Sequence, residues 1–296
     1  MGVRGVTQQP FDKRVTPIAA PGEYVLPSRA EAGSAQDAFR QAQYVIGPDL
    51  DLLARAINLQ VRIAKETFPF SRNRTHELTA IAGLWSRVFV YLSDAVLLTL
   101  RGSYAATLPL VRSAAECIAA QEGLRAGEMA LYTKWLTTTL QPDEHHKAFE
   151  FELGRYFSGE VLASDATLRS IYRPAAELGR PSFGATMLQS GPESNMRMVN
   201  MAFADTSFHQ AFTELIGGWL VALAARQLRV LVDADAIMPV SDEVRGEYAA
   251  LQSEVDAALA RDDRCRIEEI VDGNSRRYMV HNFRRQGSGS PKKIIL

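Results

Sequence analysis

Cysteine is scarce in this sequence. Cys117 and Cys265 are the two cysteines among 296 residues, and neither belongs to a Cys-x-x-Cys motif or a Cys/His cluster. Disulfide-stapled secreted domains and zinc modules need several cysteines or histidines at fixed spacing. The scarcity therefore predicts a protein without disulfides in a reducing, cytoplasmic environment.

Long uninterrupted apolar runs are also missing. Of the two longest apolar stretches, 81–100 contains Arg87 and Asp94, and 215–225 is shorter than the roughly 20 residues that cross a bilayer. The residues before Pro10 show no apolar run of the kind found in signal peptides. We expect both stretches to be buried core helices, and we expect no membrane partner.

A large net charge is absent as well. The 33 Lys and Arg residues nearly cancel the 34 Asp and Glu residues, and the formal net charge of -1 excludes a histone-like polycation. The 47% hydrophobic content excludes an intrinsically disordered chain. The charges are unevenly distributed, however. Residues 276–296 carry six basic residues and no acidic one, which leaves residues 1–275 with a formal charge of -7.

The basic tail combines cations with rings. Tyr278, His281 and Phe283 lie among its Arg and Lys residues, and this combination suits the phosphates and bases of nucleic acids. The ordinary interpretation is a solubilising tail, or one that docks on the acidic body or on a second subunit; the alternative is that RNA or another polyanion binds the tail. The residues expected to contact nucleic acid are Arg276, Arg277, Tyr278, Arg284, Arg285, Lys292 and Lys293.

Proline and glycine are concentrated near the N-terminus, where the first 33 residues hold four of each. This density favours an extended arm over a long helix. From Ser34 onward, apolar residues recur at helical spacing. The expected fold class is all-α: a multi-helix bundle over residues 34–262, with an extended Pro-rich arm at 1–33 and a short basic hairpin or tail at 263–296.

Capping residues mark the expected helix starts, because Ser, Thr and Asp side chains accept hydrogen bonds from free backbone amides. The most apolar helix is expected to begin at Asp205 or Thr206 and to run to about Val232. Residues 180–195, rich in Gly, Pro and Ser, are expected to form a loop. The other expected helix starts are Ser34, Asp49, Thr75, Ser103, Ser164 and Ser241.

Two places on these helices could carry chemistry. Arg112 and Glu116 lie one helical turn apart on the flank of an apolar stripe, as a surface ion pair or as the polar lining of a pocket. Helical periodicity places His209 about 60° from Phe212, toward the apolar face of its helix. A satisfied core histidine is the ordinary interpretation; the alternative is a neutral imidazole that acts as an acid or base. The candidate catalytic residues are therefore Arg112 to hold a phosphate, His209 as general acid or base, and Glu116 to orient one of them.

Metal and cofactor motifs are missing. His145 and His146 follow two acidic residues that suit the first turn of a helix, and no Glu-x-x-His motif of a di-iron bundle occurs. The chain has no P-loop, no Gly-x-Gly-x-x-Gly and no Gly-x-Ser-x-Gly. We expect neither a metal ion nor a cofactor.

The segment Val111-Arg112-Ser113-Ala114-Ala115-Glu116 and the later Thr206-Ser207-Phe208-His209 resemble the HEPN-like helical superfamily. The likeness is greatest to its bacterial branches with an Arg-Ser-x-x-Glu helix followed by a Ser/His-bearing helix, and it spans roughly residues 75–232. It implies a helical core, frequent dimerisation and a role in toxin–antitoxin or phage-defence systems, with metal-independent ribonuclease activity in some members. The chain departs from the ribonuclease pattern, because Arg72 and His76 are separated by three residues where those members have four to six.

Three functions follow from these observations. The first is a cytoplasmic HEPN-like protein, a homodimer or other homo-oligomer, that binds nucleic acid or a nucleotide. The second is a non-catalytic oligomeric scaffold or binding module. The third is a small-molecule enzyme with a pocket in the bundle core.

Overall fold

The protein is mostly helical. In the computed structural model eight α-helices and one small antiparallel sheet form within the described residues, so the expected all-α, multi-helix fold is confirmed. The structure describes residues 22–26, 34–69, 75–130, 132, 158–192, 194, 201–273, 275–283 and 293–295.

Part of the expected N-terminal arm lies on the helical body. Residues 22–26 are not helical, and the backbone N–H of Tyr24 donates to the Asn58 side chain at 3.0 Å. The Tyr24 ring also meets the Phe89 ring edge-on, with ring centres 6.3 Å apart. The rest of the arm, residues 1–21 and 27–33, lies outside the described residues.

The first helix, α1 (Ser34–Thr67), joins two segments that we expected to be separate helices. The backbone leaves helical geometry at Ile46 (φ -114°, ψ 20°), just before Pro48. Proline causes this kink because it lacks an N–H and its ring clashes with the carbonyl one turn earlier. The two expected helices therefore meet at a kink, one residue before the expected end of the first at Gly47. Asp49 is not the cap of the second one; its carboxylate is buried and pairs with Arg264 instead.

Helices α2 (His76–Leu100) and α3 (Tyr104–Gly123) pack closely against each other. Thr75 caps α2 as expected, since its hydroxyl accepts a hydrogen bond from an amide of the first turn. Gly102, between the two helices, has a φ of +74°, and a Cβ there would collide with the backbone carbonyl of Thr206. The α2–α3 turn therefore depends on glycine both for its conformation and for its close contact with a distant segment.

Two helices follow a gap in the described residues. The short α4 (Gly159–Ser164) leads directly into α5 (Ala166–Leu178). Asp165, and not Ser164, caps α5, because its carboxylate accepts a hydrogen bond from the Leu168 amide at 2.8 Å. The expected helix start is thus displaced by one residue.

The expected loop over 180–195 is wrong in part, because it contains helix α6 (Phe183–Ser190). Ser182 caps this helix by accepting a hydrogen bond from the Ala185 amide at 3.3 Å. The segment is rich in Gly, Pro and Ser, but the cap and two buried residues, Ala185 and Leu188, are enough to order one short helix.

Helix α7 (Gln210–Asp233) is the central core helix and packs against α1, α2 and α3 and against α8 (Asp242–Leu259). Ser241 caps α8 as expected. By length and composition α2 and α7 are apolar enough to cross a membrane. The fold buries 89% of the most apolar window of α7 and 39% of that of α2, so the expected burial is nearly complete for α7 and partial for α2. These two helices contain the long apolar stretches that the sequence predicts as core.

The C-terminal region forms the expected hairpin, with strands β1 (Arg266–Asp272) and β2 (Ser275–His281) paired antiparallel. Gly273 in the turn has a φ of +58°, which explains the glycine. A third short strand, β3 (Lys293–Ile295), pairs with β2. Because opposite residues share a face, Ile267, Glu269, Tyr278 and Val280 lie on one side of the sheet.

A buried charged cluster fastens the hairpin to the helices. The Arg264 guanidinium donates to both oxygens of Asp49 on α1, at 2.9 and 2.6 Å, and to the backbone carbonyl of Glu214 on α7, at 3.1 Å. The Glu214 carboxylate accepts a hydrogen bond from the Cys265 amide at 3.0 Å. We call Asp49, Glu214 and Arg264 the buried junction; it fixes where β1 leaves the helical body.

Candidate functional site

The predicted pair Arg112 and Glu116 forms an ion pair on the surface of α3. The two side chains approach to 3.2 Å and are 47% and 34% exposed. The Arg112 guanidinium also lies over the Tyr172 ring of α5, 5.4 Å from its centre. This geometry matches the ordinary interpretation of the pair, and pairs of this exposure are worth about 0.3–0.5 kcal/mol.

His209 is buried, but it lies at the N-cap of α7 and not inside the helix. Helix α7 begins at Gln210, later than the expected start at Asp205 or Thr206. Asp205 does not cap the helix, because its carboxylate is hydrogen-bonded to Ser207 and His209, which precede the helix. The backbone N–H of His209 donates to the Tyr104 hydroxyl at 2.9 Å, and that hydroxyl also bonds to Thr213. The histidine is therefore held between the starts of α3 and α7.

Asp205, Ser207 and His209 form a compact polar cluster. The Asp205 carboxylate accepts from the Ser207 hydroxyl at 2.6 Å and lies 2.8 Å from Nε2 of His209. Burial raises the pKa of Asp205, but the hydrogen bonds from Ser207 and His209 lower it by more, so the pKa lies below its ordinary value. The carboxylate is an acceptor only, so Nε2 of His209 carries the proton that it receives.

This arrangement does not activate a serine nucleophile. The Ser207 hydroxyl lies 3.4 Å from Nε2 of His209, but both groups direct their protons to Asp205. A catalytic serine needs the histidine nitrogen as its proton acceptor. The hydrogen bonds of the cluster instead satisfy its own polar groups, in the segment just before α7.

The structure does not join the three predicted catalytic residues by hydrogen bonds. His209 meets α3 at Tyr104, eight residues before Arg112, a separation of about 12 Å along the helix axis. Among the described residues, the hydrogen-bond and ion-pair partners of Arg112 and Glu116 do not include His209. A common catalytic role for Arg112, Glu116 and His209 stays a prediction, and we derive no reaction step from them.

The predicted nucleic-acid-binding residues fall into three groups. Arg276 and Arg277 are exposed on β2, and Arg276 lies 3.6 Å from Glu269. Tyr278 is only 8% exposed, so its ring does not present a face on which a base can stack. Lys293 lies in β3, and Arg284, Arg285 and Lys292 lie outside the described residues.

The other two rings of the basic tail are also engaged within the fold. Phe283 is buried and meets the Phe212 ring edge-on, with ring centres 5.8 Å apart. His281 pairs with Glu268 across the hairpin at 2.9 Å. The described part of the tail therefore offers exposed cations, while its aromatic rings stabilise the fold.

A cleft of about 680 Å³ separates α5 from β1. Docking of the hairpin through the buried junction brings the two walls together. The volume lies within the range of about 300–1,000 Å³ that is typical of small-molecule sites. Charged and polar side chains from both walls line the cleft, among them Arg169, Ser170, Arg173, Arg266, Glu268 and Glu269.

The arginines of the cleft differ in their partners. Nη1 of Arg173 donates to both oxygens of Glu269, at 3.0 and 2.8 Å, so this charge is neutralised. Arg169 donates to the backbone carbonyl of Ala163 at 3.2 Å. The nearest described carboxylate to Arg266 is that of the fully exposed Asp262, at 3.6 Å.

Arg169 and Arg266 therefore both line the cleft, and among the described residues neither is hydrogen-bonded to a carboxylate. Each can offer guanidinium donors to an anion, one from the helix wall and one from the strand wall.

A second cavity of about 280 Å³ lies beside the cleft, against α7. The two cavities share Ser170, Arg266 and Ile267 in their walls. The walls of the second cavity combine apolar residues with charged ones: Ile171, Leu215, Trp219, Ala222 and Leu259 with Glu214, Arg264 and Arg266. Apolar and charged side chains therefore line both cavities.

The sequence analysis missed Arg169 and Arg266. The two residues are far apart in the chain. Arg169 belongs to no motif, and Arg266 lies in a stretch of mixed charge over residues 261–269. Arg266 begins β1, two residues after the buried Arg264. Alternation in a strand places residues i and i+2 on one face, but only the tertiary docking shows what that face meets.

Across the described ranges, no group of three or more His, Cys, Asp and Glu side chains is arranged to hold a metal ion.

No family model, curated protein or solved structure matches the chain. The HEPN-like resemblance, the homodimeric state and the cytoplasmic location accordingly stay predictions from the sequence.

Proposed function

We propose that this protein binds a phosphate-bearing ligand, a nucleotide or a nucleic acid, in the cleft between α5 and β1. One observation carries the proposal: Arg169 and Arg266 line the same cleft from two different elements, and no described carboxylate is hydrogen-bonded to either.

The chemistry of the guanidinium group favours phosphate as the ligand. A guanidinium is planar, permanently charged and able to donate two parallel hydrogen bonds to a phosphate. Arginines on opposite walls can contact different oxygens of one phosphate, which a single surface arginine cannot do. Arg173 supports the site differently, because its pairing with Glu269 removes a negative charge from the cleft.

The cleft is next to the part of the basic tail that the structure describes. Val271 lines the cleft and lies opposite Arg276 in the hairpin, on the same face of the sheet. Arg276 therefore borders the site. A phosphate chain that occupies the cleft can extend along β2 to the tail, which connects this proposal to the expected binding of RNA.

The test is titration of fluorescently labelled single-stranded RNA with the full chain, followed by anisotropy, with AMP and pyrophosphate as competitors. Arg169→Ala and Arg266→Ala should each weaken binding about ten-fold, because a hydrogen bond to a charged group is worth roughly 1.5–3 kcal/mol.

Arg229→Ala is the matched control for this titration. Arg229 is 60% exposed with a carboxylate 3.6 Å away, much like Arg266 at 55%, but it does not line the cleft. Equal affinity of the two cleft variants and the control would contradict the proposal.

A further inference from the structure

We infer that the outer side of α2 is a self-association surface, on which a second copy of this chain packs with its own α2 antiparallel to the first. The inference goes beyond the proposed function and does not depend on it, because no residue of α2 lines the cleft.

The first argument is the incomplete burial of an apolar helix. The fold buries 39% of the most apolar window of α2 and 89% of that of α7, although the two windows are equally apolar. Val90, in the middle of α2, is 50% exposed, and Leu97 and Leu98 are partly exposed. This chain alone therefore leaves apolar surface of α2 uncovered, which is typical of an interaction surface.

The second argument is that the uncovered residues form one stripe along α2. Gly83, Arg87, Val90, Asp94 and Leu97 follow one another at spacings of four, three, four and three residues. Residues at these spacings lie on one side of a helix, and two helices that pack along their length use the same spacing. We call these five residues the α2 stripe.

The third argument is that the charges of the α2 stripe fit a second copy of the same stripe. In an antiparallel pair with its two-fold axis between Val90 and Tyr91, Arg87 lies opposite the partner's Asp94. The symmetry repeats this contact, so the partner's Arg87 lies opposite Asp94. Two attractive contacts, about 10 Å apart along the helix, therefore fix the orientation and register of the pair.

Both charged groups are available for this contact. In the part of the chain that the structure describes, the Asp94 carboxylate is exposed and has no hydrogen-bond or ion-pair partner. The Arg87 guanidinium donates to the Tyr91 hydroxyl at 3.0 Å and lies 5.7 Å from the centre of the same ring. This contact holds the guanidinium on the outer side of α2 and leaves its charge without a hydrogen-bonded carboxylate among the described residues.

The same register also suits the apolar and small residues of the stripe. Val90 meets the partner's Val90 beside the two-fold axis, and Leu97 reaches the level of the partner's Gly83. The space beside Gly83 is open, so a leucine of the partner can approach the backbone there. Because one helix of each copy forms the contact, we expect less buried area than the about 800 Å² per partner of a standard interface and a dissociation constant in the micromolar range.

The experiment is sedimentation velocity of the full chain over concentrations from about 1 to 100 μM. We expect a reversible equilibrium of monomer and dimer. Arg87→Glu and Asp94→Arg should each raise the dimer dissociation constant about ten-fold or more, because each substitution places like charges opposite each other at both contacts. Arg229→Glu is the matched control, since Arg229 is 60% exposed and lies on α7, and it should leave the dissociation constant unchanged.

An equimolar mixture of the two single variants separates charge pairing from a loss of folding. When one copy carries Arg87→Glu and the other carries Asp94→Arg, opposite charges face each other at both contacts. The mixture should therefore form a heterodimer about as stable as the original dimer, and Arg87→Glu/Asp94→Arg in one chain should restore the homodimer. Both positions are exposed, so the urea unfolding curves of the variants should match that of the unmodified protein.

Three results would overturn the inference. The first is a chain that stays monomeric at about 100 μM. The second is a dimer whose dissociation constant neither Arg87→Glu nor Asp94→Arg changes, which would place the contact on another surface. The third is a mixture of the two variants that stays monomeric. A monomeric chain that floats with phosphatidylcholine vesicles would assign the α2 stripe to a membrane surface instead.

Discussion

Two arginines that are separated by one residue in the chain have opposite environments. The Arg264 side chain is 8% exposed and makes hydrogen bonds to Asp49 and to the backbone of Glu214. The Arg266 side chain is 55% exposed, and its nearest described carboxylate is 3.6 Å away on the fully exposed Asp262. The first belongs to the buried junction and the second to the cleft.

The difference shows how a polar group is assigned to stability or to binding. A buried guanidinium must have all of its partners within the protein, because an unpaired buried charge is very costly. An exposed guanidinium is solvated by water and can exchange that water for a ligand. The hydrogen-bond partners that an arginine has within the protein therefore distinguish structural arginines from candidate binding arginines more clearly than charge does.

The largest expected effect is on the buried junction. Arg264→Ala leaves the Asp49 carboxylate buried without its partner, and we expect the free energy of unfolding to fall by about 3–5 kcal/mol. Urea denaturation followed by circular dichroism measures this loss. Arg266→Ala is the control, with an expected change within about 0.5 kcal/mol. A loss below about 1 kcal/mol for Arg264→Ala would remove the contrast between the buried junction and the cleft.

The double variant Asp49→Leu/Arg264→Met sharpens the same contrast. Replacing both charges with apolar side chains leaves no buried ion without a partner, so the double variant should be more stable than Arg264→Ala. If it is the less stable of the two, the ion pair contributes more than the avoidance of an unpaired charge.

The next effect concerns the cluster of Asp205, Ser207 and His209, which we place with the structural groups. Asp205→Asn removes the charge that accepts hydrogen bonds from Ser207 and His209, and we expect a loss of about 1–2 kcal/mol at neutral pH. Because the pKa of Asp205 is lowered in the folded state, the ionised carboxylate stabilises the protein above the unfolded-state pKa. That contribution is lost as the pH falls through the folded-state pKa.

Urea denaturation at pH 7 and pH 3 checks the sign of this effect. The stability difference between the unmodified protein and Asp205→Asn should be larger at pH 7 and should shrink at pH 3. A difference that grows in acid would show that the carboxylate does not stabilise the fold.

The cleft arginines should affect binding without affecting stability. The affinity for single-stranded RNA should fall as the salt concentration rises, and Arg266→Ala should reduce the slope of log K against log salt by about 1. Its unfolding curve should match that of the unmodified protein. Arg229→Ala, the exposed control outside the cleft, should leave the slope unchanged. A slope that is unaffected by Arg266→Ala would exclude direct contact of this residue with phosphate.

The helical fold and its caps could be predicted because their signals are local. Thr75 and Ser241 cap their helices where the sequence places the caps, and the turn at Gly273 closes the expected hairpin. The exceptions have local causes that periodicity does not contain. The helix after the kink at Pro48 starts without Asp49 as its cap. The Asp205 side chain bonds to His209 before α7 starts, and His209 takes the cap position.

The candidate site could not be predicted in the same way, because long-range contacts create it. Arg169 and Arg266 share a cleft only after the junction of Arg264 with Asp49 docks the hairpin on the helices. Arg112 and Glu116 stood out in the sequence because they are neighbours on one helix, and that closeness also allows them to satisfy each other on the surface. A spacing motif alone therefore does not separate a binding residue from a solvated ion pair.

The smallest expected effect is at Arg112 and Glu116. A double-mutant cycle with Arg112→Ala, Glu116→Ala and the double variant should give a coupling energy of about 0.3–0.5 kcal/mol, as measured by urea denaturation. The Arg112 guanidinium lies over the Tyr172 ring, so the loss in Arg112→Ala should exceed that in Glu116→Ala. None of the three variants should change the affinity for RNA or AMP. A loss of affinity in Arg112→Ala comparable to that in Arg266→Ala would move the binding surface from the cleft to α3 and restore the pair as part of a site.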